Sequence, residues 1–254
     1  MKTAFVLLFL LAGCAAAPRS NSDDSARALA SQMVEAHGGL GAWNALTAMT
    51  IEREHVFEPD RERRFEFTID ADLHAPRMEQ WWRTPPGHIV WDGARDGAGV
   101  EASEWPMGKQ LHPAFVMSIG FYLVNMPWLA GEPDARIERL PPASDLAPGD
   151  THRYERLALT YTAPMLDDGS EWGGDLFVVY IDPETHRLRG VKQHRRWPPQ
   201  MQLFGLSEGE EFFQVFVVDT EVTQSGLILP DTYRVYDGEN DLVASGRFGP
   251  YSLR

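Results

Sequence analysis

Alternating apolar and polar residues run through most of the chain after residue 48 and predict an antiparallel sheet. In the segment 63–73, Phe65, Phe67 and Ile69 lie on one face, and charged or polar residues lie on the other. This period of two is that of a half-buried strand. About eleven segments share the pattern: 48–57, 63–73, 76–83, 87–92, 98–103, 152–163, 175–182, 187–196, 212–223, 231–237 and 241–249. Consecutive strands joined by short turns predict a meander that closes or curls to protect its edges.

Helical spacing replaces this alternation near the start of the chain. Apolar residues of the segment 26–37 recur at helical intervals after Ser25, which is a candidate N-cap. Gly38-Gly39 is expected to end this helix, because glycine at a helix C-terminus accepts a left-handed conformation. A second, short helical piece is expected around Trp43.

The stretch 113–130 is uncharged over 18 residues and predicts a buried helix. Gly120, Asn125 and Pro127 interrupt it, and no basic flank follows. A helix packed on or inside the sheet is therefore favoured over a membrane span. The following segment 139–150 is rich in proline, and we expect a surface loop there.

The first residues have the pattern of an exported protein. Lys2 precedes an uncharged apolar run that ends in small residues before Cys14. The run is too short to span a bilayer, which takes about 20 residues. Leu11-Ala12-Gly13-Cys14 resembles the lipobox of bacterial lipoproteins. That resemblance implies cleavage before Cys14 and lipidation of its thiol, whereas the alternative is an ordinary secreted protein with a stray cysteine.

These signals divide the chain into three parts. We expect a signal peptide at 1–13, a flexible tether at 14–24 and a single domain at 25–254. Two or more acyl chains are needed for stable anchoring, and a lipidated cysteine meets that condition. Ala15 stands where enteric lipoproteins retained at the inner membrane tend to have aspartate. The resemblance therefore implies the periplasmic face of the outer membrane.

Charge and cysteine content exclude several classes of partner and chemistry. Without residues 1–13 the chain has 22 Lys and Arg residues against 37 Asp and Glu residues, a net charge of −15. A strongly acidic chain repels phosphate backbones, so nucleic acid is not an expected partner. Cys14 is the only cysteine, which leaves no thiol for disulfides or a catalytic nucleophile.

Three segments together resemble a known group of envelope proteins. They are the run from His37-Gly38-Gly39 to Trp43, the strand and turn 179–185 with its Asp-Pro-x-Thr sequence, and Leu229-Pro230. The pattern is similar to proteins that share the fold of the Lol lipoprotein carriers and receptors (LolA/LolB-like). The resemblance implies a mainly β, α+β domain, with an unclosed antiparallel barrel of about eleven strands. An N-terminal helix and a central apolar helix would cover or plug its mouth, over a cavity for acyl chains or another hydrophobic ligand.

Apolar residues on one face of the sheet and on the central helix are candidates to line such a cavity. They are Phe65, Phe67, Ile69, Trp81, Trp91, Phe115, Met117, Phe121, Tyr122, Trp128, Tyr161, Phe177 and Phe216. Aromatic residues and methionines suit an adaptable apolar surface. The alternative is that all of them fill an ordinary core.

Arg53 and His55 are unusual because they share a strand face with apolar residues. A charge in an apolar interior costs several kcal/mol unless it is paired. Either the two residues form a polar rim that contacts a headgroup or an acidic side chain, or the strand end turns into solvent. A second cluster, His194-Arg195-Arg196, could dock a lipid phosphate or a partner, or be a solvated strand end.

Three functions are compatible with these patterns. The first is a non-enzymatic, membrane-anchored envelope lipoprotein that binds a lipid, an acyl chain or another hydrophobic molecule. The second is an accessory or structural lipoprotein of an envelope complex with a filled core. The third is an enzyme with a polar site near Arg53 and His55. No nucleophile elbow, phosphate loop or close metal-ligand spacing occurs in the sequence, and we expect neither metal nor cofactor.

Overall fold

The computed structural model describes residues 21–58, 64–73, 77–84, 86–93, 100–104, 111–133, 135–161, 166, 175–206 and 212–254. The predicted signal peptide, Cys14 and most of the predicted tether lie outside the described residues.

One antiparallel sheet of twelve strands forms most of the described structure. The strands are β1 (Ala48–Phe57), β2 (Arg64–Asp72), β3 (Met78–Thr84), β4 (Pro86–Trp91), β5 (Val100–Glu104), β6 (Ala135–Ala143), β7 (Tyr154–Tyr161), β8 (Asp175–Ile181), β9 (Leu188–Arg195), β10 (Phe212–Gln224), β11 (Leu227–Asp237) and β12 (Leu242–Leu253). Their order is β5-β4-β3-β2-β1-β12-β11-β10-β9-β8-β7-β6. Strands that follow each other in the chain are neighbours in the sheet, with one exception: β5 and β6 lie at opposite edges, and β1 pairs with β12 in the middle. The sheet is not closed, which confirms the predicted unclosed barrel, called the half-barrel from here on.

Strand β6 corrects the prediction of a loop at 139–150. Residues 139–143 continue this strand, which lies at the edge of the sheet and pairs only with β7. Pro141 and Pro142 are tolerated there because an edge strand leaves one side of its backbone unpaired, and the pairing register shifts between Leu140 and Ala143.

Four helices accompany the sheet in the described residues. They are α1 (Asn21–Ala36), α2 (Gly39–Asn44), α3 (Pro113–Leu129) and α4 (Pro198–Leu203). Helix α1 begins four residues before the expected N-cap Ser25, so residues 21–24 are helical and do not belong to the tether. None of the described helices is both long and apolar enough to cross a bilayer.

Thirteen of the seventeen residues of helix α3 are buried, as its uncharged and mostly apolar sequence predicts. His112 caps its N-terminus, where the ring Nδ1 accepts a hydrogen bond from the Ala114 amide at 3.3 Å. The helix packs inside the half-barrel, and its side chains join the main hydrophobic core. Because α3 occupies most of the concave side, the interior is largely filled.

A loop covers part of the convex face of the sheet. Leu146 follows β6 and is buried against Gly190 of β9. A Cβ atom at Gly190 would lie 2.5 Å from both the Leu146 side chain and the Phe216 carbonyl oxygen, and because the latter is backbone the position requires glycine. Asp145 holds the loop through Tyr180, whose hydroxyl donates to its carboxylate at 2.9 Å, and through Lys192 at 3.0 Å. The convex face therefore has its own small core.

The segment His37–Trp43 closes the end of the half-barrel near the β10–β11 hairpin. The His37 carbonyl accepts a hydrogen bond from the Ile228 amide at 3.2 Å. Gly38 has φ +104°, and a Cβ atom there would lie 2.5 Å from the Gly226 carbonyl oxygen. Trp43 stacks on Trp128 of α3 with ring centroids 4.5 Å apart. The motif that carried the resemblance therefore joins α1 to the sheet and to α3.

Candidate functional site

A small apolar pocket lies between α3 and the sheet, at the end opposite the Trp43–Trp128 stack. Its volume is about 110 Å³. One wall comes from β1, β2 and β3, the other from β10, β11 and β12, and the N-terminal half of α3 covers it. The lining residues are Arg53, His55, Phe57, Phe65, Trp82, Leu111, Phe115, Val116, Ile119, Gln214, Phe216, Val235, Val243 and Ala244. Eleven of these fourteen are apolar, and none of these described residues is Asp or Glu.

The pocket has one polar corner, formed by Arg53 and His55. Both residues lie on the concave face of β1, in register with Phe67 and Phe65 of β2. Arg53 is 7% exposed, so the alternative of a strand end in solvent is wrong for this residue. Strand alternation keeps the neighbouring Glu54 on the opposite face.

Tyr233 of β11 contacts both residues of the polar corner. Its hydroxyl oxygen accepts a hydrogen bond from Arg53 Nε at 2.9 Å and lies 2.8 Å from His55 Nδ1. The Arg53 guanidinium also lies over the rings of Tyr233 and Phe248, at 5.1 and 5.0 Å from their centroids. Burial raises the pKa of the Tyr233 phenol, and the adjacent Arg53 charge opposes that rise. The phenol is therefore neutral and holds two polar side chains at one oxygen.

Gly246 makes this arrangement possible. A Cβ atom at this position of β12 would overlap the Glu54 carbonyl oxygen and the Tyr233 hydroxyl. Only glycine therefore allows the Tyr233 ring to reach Arg53 and His55 across the sheet.

The structure brings some of the predicted cavity-lining residues together around the pocket and places the others elsewhere. Phe65, Phe115 and Phe216 line the pocket together with Arg53 and His55. Other predicted residues are buried in the main core without lining this pocket: Ile69, Trp91, Met117, Phe121, Tyr122, Trp128, Tyr161 and Phe177. For Phe67 only the backbone is described, so its side chain lies outside the described part of the structure.

The prediction that Trp81 lines the cavity is wrong, because its side chain points away from the interior. It is 51% exposed, and its ring stacks on His88 of β4 with centroids 3.7 Å apart. The buried neighbour is Trp82, which is in phase with Met78 and lines the pocket in its place.

Sequence reasoning missed several residues of the pocket. Gln214 is two positions before Phe216 on β10 and therefore shares its face, a signal that the sequence did contain. Val235 and Ala244 lie opposite each other on β11 and β12, which only the strand pairing reveals. Leu111 lines the pocket because it lies just before α3, and only the position of that helix in the folded chain brings it there.

Arg195 belongs to a second buried polar group and not to an exposed basic cluster. Its Nε donates to the Asp175 carboxylate at 2.5 Å, and both side chains are 0% exposed. Its Nη2 donates to Ser118 Oγ of α3 at 2.8 Å, and its guanidinium lies 4.5 Å from the Phe115 ring centroid. The interpretation of Arg195 as part of a solvated strand end or docking patch is therefore wrong. This group ties α3 to β8 and β9 beside the pocket.

Metal coordination has no candidate in the residues described here. No group of three or more His, Cys, Asp or Glu side chains is close enough to hold an ion.

Comparison with solved structures supports the half-barrel assignment. A DUF1329 family protein from Desulfovibrio piger matches with a TM-score of 0.54 at 8% identity, over 92% of this chain and 94% of that chain. A LolA superfamily protein from Nitrosomonas europaea gives a TM-score of 0.51 at 10% identity, again over 92% and 94% of the two chains. The chain has a LolA-like fold.

A third similar structure is an outer membrane lipoprotein-sorting protein domain from Vibrio parahaemolyticus. It has a TM-score of 0.52 at 9% identity and covers 91% of this chain and 93% of that chain. No family model matches the sequence. No curated protein matches it either. At these identities the LolA-like similarity is one of fold.

Proposed function

We propose that this chain is a membrane-anchored envelope protein that binds a lipid, an acyl chain or another hydrophobic molecule and does no catalysis. The apolar pocket between α3 and the two sheet walls is the observation that carries the proposal. An acyl chain that leaves water for such a surface gains about 0.8 kcal/mol per buried methylene. The same fold in a lipoprotein-sorting domain is consistent with this role.

The size of the pocket implies that ligand binding moves α3. About 110 Å³ is well below the roughly 300–1,000 Å³ typical of small-molecule sites. A long chain therefore needs the space that α3 occupies. The helix is uncharged, and Ser118 connects it to Arg195 through one hydrogen bond. A ligand that binds the displaced state better would shift the population toward it.

Blocking the pocket should weaken the binding of a fatty acid. Val116→Trp puts a large ring into the pocket, and we expect at least about a tenfold weaker affinity for a fluorescent fatty acid. Leu203→Trp on the exposed side of α4 is the matched control and should bind like the parent chain. Fluorescence titration of the chain lacking residues 1–14 gives the measurement. Equal binding by Val116→Trp, or no uptake by the parent chain, would contradict the proposal.

A second candidate is an accessory envelope lipoprotein with a filled core. The observation in its favour is that eight of the predicted cavity residues pack in the main core without lining the pocket. Mass spectrometry of purified protein separates the two functions. Bound lipid supports the carrier, whereas an empty protein that also takes up no fatty acid supports the accessory role.

The anchor has its own test at Cys14. Cys14→Ser removes the thiol to which the resemblance assigns the lipid. We expect the variant to lose all incorporation of labelled palmitate and to move from the membrane fraction to the soluble fraction. Ala15→Ser is the control and should keep both properties. Label on the Cys14→Ser variant would show that the anchor lies elsewhere.

A further inference from the structure

Two buried glutamine side chains have no hydrogen-bond partner among the described residues. Gln80 of β3 is 0% exposed, and Gln193 of β9 is 1% exposed. Within the described structure, the amide nitrogen and the amide oxygen of both side chains are unpaired. A buried amide without a partner costs free energy, and an apolar side chain of similar length would avoid that cost. The fold alone therefore gives no reason for glutamine at either position.

Both glutamines face the inside of the half-barrel, next to the pocket. On β3, Gln80 is two positions before the pocket-lining Trp82 and therefore shares the concave face of that strand. On β9, Gln193 pairs directly with Gln214, a pocket-lining residue of β10. The two amides therefore lie just beyond the present pocket, one beside each of its walls.

Helix α3 packs against a direct neighbour of each glutamine. Ile69 of β2 pairs with Gln80, and its Cδ1 lies 3.6 Å from the position of a Cβ atom at Gly120 of the helix. Phe177 of β8 pairs with the β9 glutamine, and its ring centroid lies 4.6 Å from that of Tyr122 on the helix. Because a long ligand needs the space that α3 occupies, its binding would open space beside both amides.

On the basis of the proposed function, we infer that the ligand is an apolar molecule with an uncharged carbonyl group, such as an ester, within its chain, and that Gln80 and Gln193 bind this group. A carbonyl oxygen accepts hydrogen bonds from the amide N–H donors and brings no donor of its own that needs a partner. An ionised group would lose its hydration beside Ile69, Ile89 and Phe177, at a much larger cost in free energy. A plain hydrocarbon would leave both amides unpaired. The two glutamines are thus specificity-determining residues.

Two probes that differ only in one carbonyl group test this inference. Hexyl hexanoate is an ester, and dihexyl ether has the same chain length with a methylene in place of the carbonyl. Each is titrated below its solubility limit against the full mature chain, by displacement of a fluorescent fatty acid. We expect the ester to bind at least about fivefold more tightly than the ether, because only the ester offers a carbonyl acceptor to the buried amides.

Methionine nearly keeps the length of a glutamine side chain and removes its amide. Gln80→Met and Gln193→Met should each reduce the preference for the ester, and the double variant should bind both probes within about twofold of each other. Gln224→Met is the matched control, because Gln224 lies at the β10–β11 hairpin, and its amide donates to the Tyr251 carbonyl at 2.7 Å. This hairpin is at the end of the half-barrel away from the pocket, so the control should keep the full preference.

Urea unfolding without ligand gives a second, independent measurement. Because the two interior amides are unpaired within the described structure, Gln80→Met and Gln193→Met should raise the urea midpoint or leave it unchanged. Gln224→Met should lower the midpoint, since it loses a hydrogen bond. A lower midpoint in either interior variant would show that its amide serves the fold and would overturn its assignment to the ligand.

The outcomes distinguish this inference from the proposed function. Equal binding of the ester and the ether by the parent chain would overturn the carbonyl inference and leave hydrophobic binding intact. A preference that survives in the double variant would overturn the assignment to Gln80 and Gln193. If neither probe nor the fluorescent fatty acid binds the parent chain, the proposed function fails as well.

Discussion

Replacing Arg195 by Met is expected to lower the free energy of unfolding by about 3–5 kcal/mol. The substitution leaves Asp175 as a buried carboxylate without its guanidinium partner and removes the donor to Ser118. Both partners are 0% exposed, so solvent screens their interaction little. Urea unfolding followed by tryptophan fluorescence measures the loss.

The double variant Asp175→Leu with Arg195→Met should recover most of that stability. Replacing a buried ion pair by apolar residues is often neutral or stabilising, because the desolvation cost of two charges disappears. Arg247→Met, which breaks the exposed pair with Asp231, should change the free energy of unfolding by less than about 1 kcal/mol. A double variant that is no more stable than Arg195→Met would show that the ion pair itself is not the source of the loss.

The buried Asp175–Arg195 pair also holds the helix that covers the pocket. Arg195 contacts α3 at Ser118 and packs against Phe115, a lining residue. The ion pair therefore fixes the helix that covers the site. A ligand that displaces α3 must break the Ser118–Arg195 hydrogen bond, while the Asp175–Arg195 pair remains within the sheet.

The fold was predictable where one local pattern determines an element. The alternation at 63–73 and the uncharged run at 113–130 need no distant partner, so β2 and α3 were placed from the sequence. Strand β6 was missed because its prolines are typical of loops, and only the position at the sheet edge makes them acceptable.

The candidate site was predictable only in part, because only some of its residues stand out in a local sequence pattern. Arg53 and His55 were visible because a polar residue on an apolar strand face is a local anomaly. Trp81 was misplaced because two adjacent tryptophans fit either phase of a strand, and the phase depends on pairing with β2. The Arg195 network comes from β8, β9 and α3, and no local pattern joins those three segments.

Protonation of His37 is the second large effect, and we expect acid to destabilise the fold between about pH 6.5 and pH 4. Burial lowers the pKa of His37 from 6.5 to about 4, and the nearby Arg187 charge contributes a smaller part of this shift. The Met33 carbonyl opposes the shift, because it accepts a hydrogen bond from His37 Nδ1 at 2.8 Å. Above pH 6.5 the ring is neutral in both the folded and the unfolded chain. Below pH 6.5 the unfolded chain binds a proton that the folded chain excludes, so stability falls with pH until the folded pKa is reached. A difference of about 2.5 pKa units corresponds to roughly 3 kcal/mol.

Urea unfolding at a series of pH values tests this effect, with His37→Gln as the decisive variant. His37→Gln should be less stable than the parent at pH 7 because it loses a buried hydrogen bond and ring contacts. Its stability should nevertheless change much less than that of the parent between pH 6.5 and pH 4. His112 is the matched comparison, since burial also lowers its pKa, and His112→Asn should retain the fall that is due to His37. Asp182 has a pKa below its ordinary value of 3.8, so its contribution is lost only at lower pH, outside this window. A full acid-dependent fall in His37→Gln would assign the effect to other groups and leave His37 with a packing role only.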